Sequence, residues 1–154
     1  MIGPLTGRLT VASPFGPLTL HETDGTITRL HWVAEDPAPT TLLQEAAAQL
    51  AAYFDGRLTR FDLPLDLGVG LQNRVRHAML AIPCGETRTY GDLSRDLRTP
   101  AQAIGQACGT NAIPILIPCH RVLGARTLGG FSAPGGVETK VALLRLERAA
   151  GLLI

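Results

Sequence analysis

The strongest constraint on the fold is a change of periodicity part-way along the chain. Up to Val33, short apolar and β-branched runs alternate with turn residues: Leu9 to Ala12, Pro14-Phe15-Gly16-Pro17, Leu18 to His21, Thr23-Asp24-Gly25, then Ile27 to Val33. Runs of this length, punctuated by Gly, Pro and Asp, predict a small antiparallel meander. After Pro37-Ala38-Pro39, the residues Leu43, Ala46, Ala47, Leu50, Ala51 and Phe54 follow the spacing of one helix face, and Asp55-Gly56 supplies a stop. From Gly56 to Gly70 no helical period survives, which predicts a linker after a first α+β unit. Domains are expected at 1–66 and 67–154.

The second unit reads as helical. Leu71, Val75, Ala78, Met79 and Ile82 mark one helix face, and Pro83-Cys84-Gly85 breaks it. Thr89-x-x-Asp92 and Thr99-Pro100-x-Gln102 both have the capping-box form, so two short helices separated by Arg98-Thr99 are expected, in the manner of a helix-turn-helix. The second carries Ala101, Ala103, Gly105, Ala107 and Gly109, a smooth surface suited to close packing on protein or on DNA. A last helix is expected from Val137 to Ala149, with Val141, Leu144 and Arg148 on one face and Gly151 as terminator.

Charge is divided as unevenly as periodicity. The net charge of +1 hides an acidic stretch, residues 1–67, with four arginines against eight acids (4 − 8 = −4). Residues 68–131 carry seven arginines against Glu86, Asp92 and Asp96 (7 − 3 = +4), which makes this stretch the candidate for meeting phosphate. No apolar run approaches the roughly 18 residues of a membrane span, and Met1 to Leu9 lacks the pattern of a secretory signal. A cytoplasmic, nucleoid- or nucleus-associated protein without membrane contact is expected. Cys84, Cys108 and Cys119 make an odd count without a C-x-x-C pair, against a disulfide framework and a four-ligand zinc site. No metal and no cofactor are expected.

The run Ile113-Pro114-Ile115-Leu116-Ile117-Pro118-Cys119-His120-Arg121-Val122 sets a cysteine just beyond an apolar stretch and beside a histidine and an arginine. Cys84 and Cys108 read as small buried hydrophobes. Cys119 has neighbours that could favour a thiolate, the form in which sulfur is a nucleophile.

At these residues the chain resembles the O6-alkylguanine-DNA alkyltransferases, or methylated-DNA–protein-cysteine methyltransferases. The resemblance covers most of residues 42–151. It rests on Ile82-Pro83-Cys84-Gly85-Glu86-Thr87 with Thr89-Tyr90-Gly91, Gly105-x-Ala107 with Asn111, Pro118-Cys119-His120-Arg121-Val122, and Gly135-Gly136-x-x-x-Lys140-x-x-Leu143-Leu144-x-x-Glu147. It implies an α/β (α+β) chain, with a ribonuclease-H-like unit followed by a winged-helix-like DNA-binding domain. The implied partner is double-stranded DNA containing O6-alkylguanine, approached through the minor groove by a monomer. The flipped base would give its alkyl group irreversibly to Cys119. By the same resemblance His120 takes the thiol proton through a water, Glu147 sets the imidazole tautomer, and Asn111 braces the turn. Tyr90, Phe131 and Ser132 would line the base pocket, and carbonyls near Cys119 and Val122 would read the guanine amino group. Arg121 would either bind phosphate or brace the fold.

The chain also departs from that pattern. Gln102 stands where the family has an intercalating arginine, and Tyr90 to Gln102 is about two residues shorter than expected. Gln102 alternatively caps its helix. Arg76 replaces a usual tryptophan, Cys84 a usual aromatic, and Ser132 to Gly136 lengthens the pocket loop. A lesion-binding relative that signals to another repair pathway without transfer is the main alternative. Gln102 favours that reading and the intact Cys119-His120 pair opposes it. A winged-helix regulator would leave Cys119, His120 and Glu147 unexplained.

Overall fold

The computed structural model describes residues 3–149, and the chain divides into two compact units, Met1–Asp66 and Leu67–Ile154. Gly151, the expected terminator of the last helix, lies outside the described residues.

In the first unit, β1 (Thr6–Val11), β2 (Leu18–Thr23) and β3 (Thr26–His31) form an antiparallel sheet in sequence order. Asp24 and Gly25 join β2 to β3 with φ of 49° and 81°, the left-handed pair that a two-residue hairpin demands and that Asp-Gly accepts. Alternation sends Leu18, Leu20 and Leu30 to one face, fully buried or nearly so, where α1 (Thr41–Phe54) covers them with Leu43, Ala46, Leu50 and Tyr53. Each such leucine contributes about 1.5–3 kcal/mol by leaving water. Thr40 caps α1 by accepting the Leu43 amide at 3.1 Å. Gly7 admits this loop: a Cβ there would sit 2.5 Å from Thr40 Cγ2. The opposite face of the sheet carries Thr10, Thr19, His21 and His31, as the strand register requires.

Part of the expected linker belongs to this unit. Ile27 exchanges 2.9 Å bonds with Pro64 O and the Asp66 amide, a parallel bridge on the free edge of β3. Local sequence carries no signal for that pairing, because its partner lies far away along the chain.

The second unit begins with α2 (Gly70–Leu80), which buries Val75 and Met79 as its period predicted. A two-residue strand, β4 (Arg88–Thr89), leads into α3 (Tyr90–Leu97), whose capping box forms in full: Thr89 Oγ1 accepts the Asp92 amide at 3.0 Å and Asp92 Oδ2 accepts the Thr89 amide at 2.9 Å. Arg98, left-handed at φ 50°, turns the chain toward α4 (Ala101–Gly109).

Two helix expectations are corrected. The second capping box is absent: Pro100 is the cap residue, no side chain bonds there, and Thr99 Oγ1 donates instead to Leu97 O at 3.0 Å. The hydroxyl satisfies the end of the preceding helix rather than the start of its own, so Gln102 is an exposed residue of the first turn and not a cap. The last helix, α5, spans only Val137–Leu146, because Arg148 turns left-handed at φ 54°. Its buried face is Thr139, Lys140, Leu143 and Leu144, whereas Arg148 is exposed. Polar residues at the inward positions disguised the true face. Among the described residues no helix is long and apolar enough to cross a membrane.

Candidate active site

All of the candidate site belongs to the second unit. The apolar run from Ile113 to Ile117 packs entirely inside but forms neither helix nor ladder strand. It folds back on itself, with the Ile117 amide on Ile113 O at 2.9 Å and Ile115 held at φ 72°. A β-branched residue in the left-handed region costs on the order of 1–3 kcal/mol and persists only where its surroundings over-determine it. Asn111 supplies that determination: Nδ2 donates to Ile117 O at 2.9 Å, and Oδ1 accepts the Ile113 amide at 3.0 Å. The loop then delivers Cys119 into a single tight turn, Cys119–Arg121, followed by β5 (Val122–Leu123), which pairs in parallel with β4.

The three residues of that turn face different ways. Cys119 is 9% exposed, at the floor of a cavity of about 230 Å³. His120 is wholly buried, and its Nε2 lies 2.7 Å from Glu147 Oε2. Arg121 donates Nε to Glu147 Oε1 at 2.9 Å, a second nitrogen to Oε2 at 3.0 Å, and a third to Ile82 O at 2.7 Å. A buried carboxylate is tolerated because it meets this fork and the imidazole together. His120 Nδ1, also buried, has no hydrogen-bond partner among the described residues. Burial holds the imidazole below its ordinary pKa, although Glu147 pulls the other way, so the ring is neutral at neutral pH.

Above Cys119 the cavity is walled by Tyr90, Cys108, Asn111, Pro114, Phe131 and Ser132, with Gly105, Gly109 and Gly130 completing the lining. It is smaller than the ~300 Å³ at which drug-sized pockets begin, which suits one small planar group. A Cβ on Gly105 or Gly109 would meet nothing within 4 Å, so these glycines keep space open rather than accommodate protein core. Gly129 does the reverse. At φ 74°, a Cβ there would press on Tyr90 Oη at 3.0 Å.

Burial pushes the Cys119 thiol up, and the Asn111 side chain and the Lys140 charge act against that push. Lys140 is itself fully buried, its Nζ bonded to Val122 O at 2.7 Å and Gly130 O at 3.2 Å and placed 5.9 Å from the centre of the Tyr90 ring. Desolvation brings its pKa down to about 8, with Cys119 and Cys108 opposing. Cys108 is pushed up to about 12, mainly by burial, and so stays a neutral thiol.

The structure gathers Cys119, Asn111, Tyr90, Phe131 and Ser132 around one cavity, with His120 next along the chain from Cys119 and bonded to Glu147. Val122 is buried behind the cavity with one lone pair of its carbonyl taken by Lys140, and Gln102 lies outside the lining. The assignment of Arg121 to phosphate is corrected: it is 6% exposed and its guanidinium is committed to Glu147 and Ile82, so it braces the fold. Lys140 was missed as a site residue. Its signal was a lysine at an inward position of a helix, legible only once the buried face was known.

A thiol, a neutral imidazole and a carboxylate beneath a helix-turn-helix define a cysteine-based group-transfer protein built on a DNA-binding domain. Residues 70–149 match the family model described as "6-O-methylguanine DNA methyltransferase, DNA binding domain", and residues 8–67 match its ribonuclease-like domain. The chain belongs to the methylated-DNA–protein-cysteine methyltransferase family. It is 43% identical over 152 residues to the member from Mycobacterium tuberculosis (strain H37Rv), covering 91% of each chain, and 36% identical over 154 residues to the constitutive member from Bacillus subtilis, covering 90% of this chain and 93% of that one. The M. tuberculosis protein solved in complex with DNA superposes with a TM-score of 0.82 at 43% identity, over 92% of both chains.

Proposed function

We propose that this protein is a DNA repair protein that flips O6-alkylguanine from the duplex and moves the alkyl group irreversibly onto its own Cys119. The observation that carries this reading is the position of Cys119, which opens into a base-sized cavity while His120, next along the chain, keeps a buried unpartnered Nδ1 and leans on Glu147 through Nε2.

In this mechanism the Cys119 proton passes through a water to His120 Nδ1, and Glu147 stabilises the imidazolium that forms. Sulfur attacks the alkyl carbon in line, the carbon–O6 bond breaks, and its electron pair leaves with guanine. The released base takes up one proton, equal to the one the thiol gave, so the sum is thiol plus alkylguanine giving thioether plus guanine. A thioether has no route back to a thiol here, and each molecule acts once. Asn111 holds the strained loop that aims Cys119. Tyr90, Phe131 and Ser132 contact the flipped base, and Lys140 supports the developing thiolate. Flipping costs a few kcal/mol, least for a base whose pairing is already damaged.

The protein docks as a monomer with its helix pair on the minor groove, in the cytoplasm and associated with the nucleoid or nucleus. Of the seven arginines between residues 68 and 131, Arg76 and Arg121 are buried and Arg88 is half-buried and paired with Asp92 and Asp96, which leaves Arg74, Arg95, Arg98 and Arg126 as the exposed candidates for phosphate. The test is an intact-protein mass spectrum after incubation with a duplex containing O6-methylguanine. One added methylene per molecule, absent in Cys119→Ala, is expected. Lesion binding without any mass gain would establish the lesion-signalling alternative instead.

A further inference from the structure

The first unit holds a cluster that alkyl transfer does not use. His21 lies on β2 and His31 on β3, diagonal neighbours on the polar face of the sheet, with ring centres 5.1 Å apart. The strand register shifts immediately after His21. Glu35 reaches the same spot from the loop beyond β3. Its Oε2 lies 2.5 Å from His21 Nε2 and 2.5 Å from His31 Nε2, and the two Nε2 atoms are 3.2 Å apart.

From this convergence we propose that His21, His31 and Glu35 bind one divalent transition-metal ion of the zinc class, as a brace for the first unit. Two imidazoles and one carboxylate are a preferred donor set for such ions. With metal–ligand bonds of about 2.0–2.1 Å, tetrahedral neighbours stand roughly 3.3 Å apart, so the two nitrogens are already spaced for an ion. The carboxylate oxygen needs to withdraw by less than about 1 Å to take its seat.

Hydrogen bonding alone holds the cluster only with both Nε2 atoms protonated, so that one carboxylate oxygen accepts both N–H groups. If either lacks one, its lone pair faces the carboxylate at 2.5 Å. A cation between the three turns every contact attractive.

The supports are also in place. Thr10 Oγ1 accepts the Glu35 amide at 3.1 Å and stands 3.2 Å from Glu35 O, while Thr19 Oγ1 donates to Val33 O at 2.5 Å, so two threonines of the same sheet face pin the loop that carries the carboxylate. Outer partners that hold a ligand in position are what a metal centre needs. Two cations stand cross-strand from His21: Arg8, turned aside by donating Nε to Asp36 O at 2.6 Å, and Arg29, which is exposed to solvent. Side-chain exposures of 27%, 18% and 31% for His21, His31 and Glu35 leave room for an ion to enter and for water to complete its shell. The site is independent of Cys119, and a bound ion would tie β2, β3 and the following loop together.

The experiment is a zinc titration of metal-free protein by calorimetry and thermal melting, repeated with His21→Gln, His31→Gln, Glu35→Gln and Cys119→Ser. One equivalent of zinc should bind and raise Tm by several degrees. Each of the first three substitutions should remove that rise, and Cys119→Ser should keep it. A cobalt titration provides a readout that does not depend on variants: visible bands of nitrogen and oxygen ligation should appear without a thiolate charge-transfer band. Absence of zinc binding by the unaltered protein overturns the proposal. So do binding that survives the histidine substitutions, which is surface attachment only, and a thiolate band in the cobalt spectrum.

Discussion

His120 and Glu147 stand 27 residues apart in the chain and 2.7 Å apart in the structure, and neither side chain is more than 1% exposed. The same carboxylate holds the Arg121 guanidinium. One residue therefore orients the base of the reaction and fastens α5 to the turn that bears the nucleophile.

Glu147→Gln should act on both tasks. It leaves the buried Arg121 charge without its counter-ion, and breaking a buried pair from one side costs about 3–5 kcal/mol. Urea unfolding should report that loss. Transfer by the protein that remains folded should slow as well, because an amide does not stabilise an imidazolium. Unchanged stability would mean that the carboxylate does not carry the pairing described.

The Lys140 charge favours the thiolate of Cys119, so Lys140→Met should slow single-turnover transfer at pH 7. The sign of its pH dependence follows from the lysine itself. Its pKa is brought down to about 8, so in the unaltered protein the charge is present below that pH and lost above it. The ratio of unaltered to variant rates should shrink between pH 7 and pH 9. A ratio that stays constant would remove Lys140 from the electrostatics of the thiol.

His120 predicts a separate acid limb. Its folded pKa lies below the ordinary 6.5, so the unfolded chain binds more protons as pH falls past that value. Stability associated with the neutral ring is complete above pH 6.5 and declines as pH falls toward the folded pKa. Urea midpoints measured from pH 7.5 down to 5 should fall for the unaltered protein and fall less for His120→Phe.

Asn111→Ala removes both bonds that close the loop around Ile115. Leaving a buried amide and carbonyl unpaired should cost about 1–3 kcal/mol each in the worst case. Transfer should slow more than lesion binding weakens, since the loop aims Cys119 while the cavity walls remain. Equal losses in both would assign Asn111 to binding.

Gln102 is exposed in the first turn of α4 and caps nothing. Gln102→Ala should therefore leave thermal stability unchanged. Gln102→Arg should speed duplex repair by offering a longer cation to the gap left by the flipped base, with no change in reaction toward free O6-benzylguanine. If duplex repair ignores both substitutions, Arg98 at the helix turn is the next residue to replace.

Much of this was legible in advance because it is local. The Asp24-Gly25 hairpin and the Thr89–Asp92 capping box depend on residues within a few positions of one another and formed as the spacing predicted, whereas the α1 face kept Leu43, Ala46 and Leu50 but buried Tyr53 in place of Ala51 and Phe54. The Pro118-Cys119-His120-Arg121-Val122 run marked Cys119 as a candidate nucleophile through its neighbours, and the family resemblance implied the role of His120. Three features escaped: the pairing of Ile27 with Pro64 and Asp66, the parallel contact of β4 with β5, and the inward turn of Lys140. Each depends on partners distant along the chain, or on burial that a polar side chain conceals.

Sequence by itself determined which residue types were present for chemistry and where the first three strands and the main helices would lie, because both follow from side-chain identity and short-range spacing. Tertiary structure alone decided what each charged group does. Arg121, Lys140 and Arg98 all carry cationic side chains, yet packing buries the first two, where hydrogen bonds tie Arg121 to Glu147 and desolvation lowers the pKa of Lys140 to about 8, and leaves Arg98 in water. The same holds for His21, His31 and Glu35, which come within 2.5–3.2 Å of one another because strand register and one loop bring them together. Their individual identities announce no such meeting, since the energy of a charge depends on its surroundings and only the folded chain supplies those.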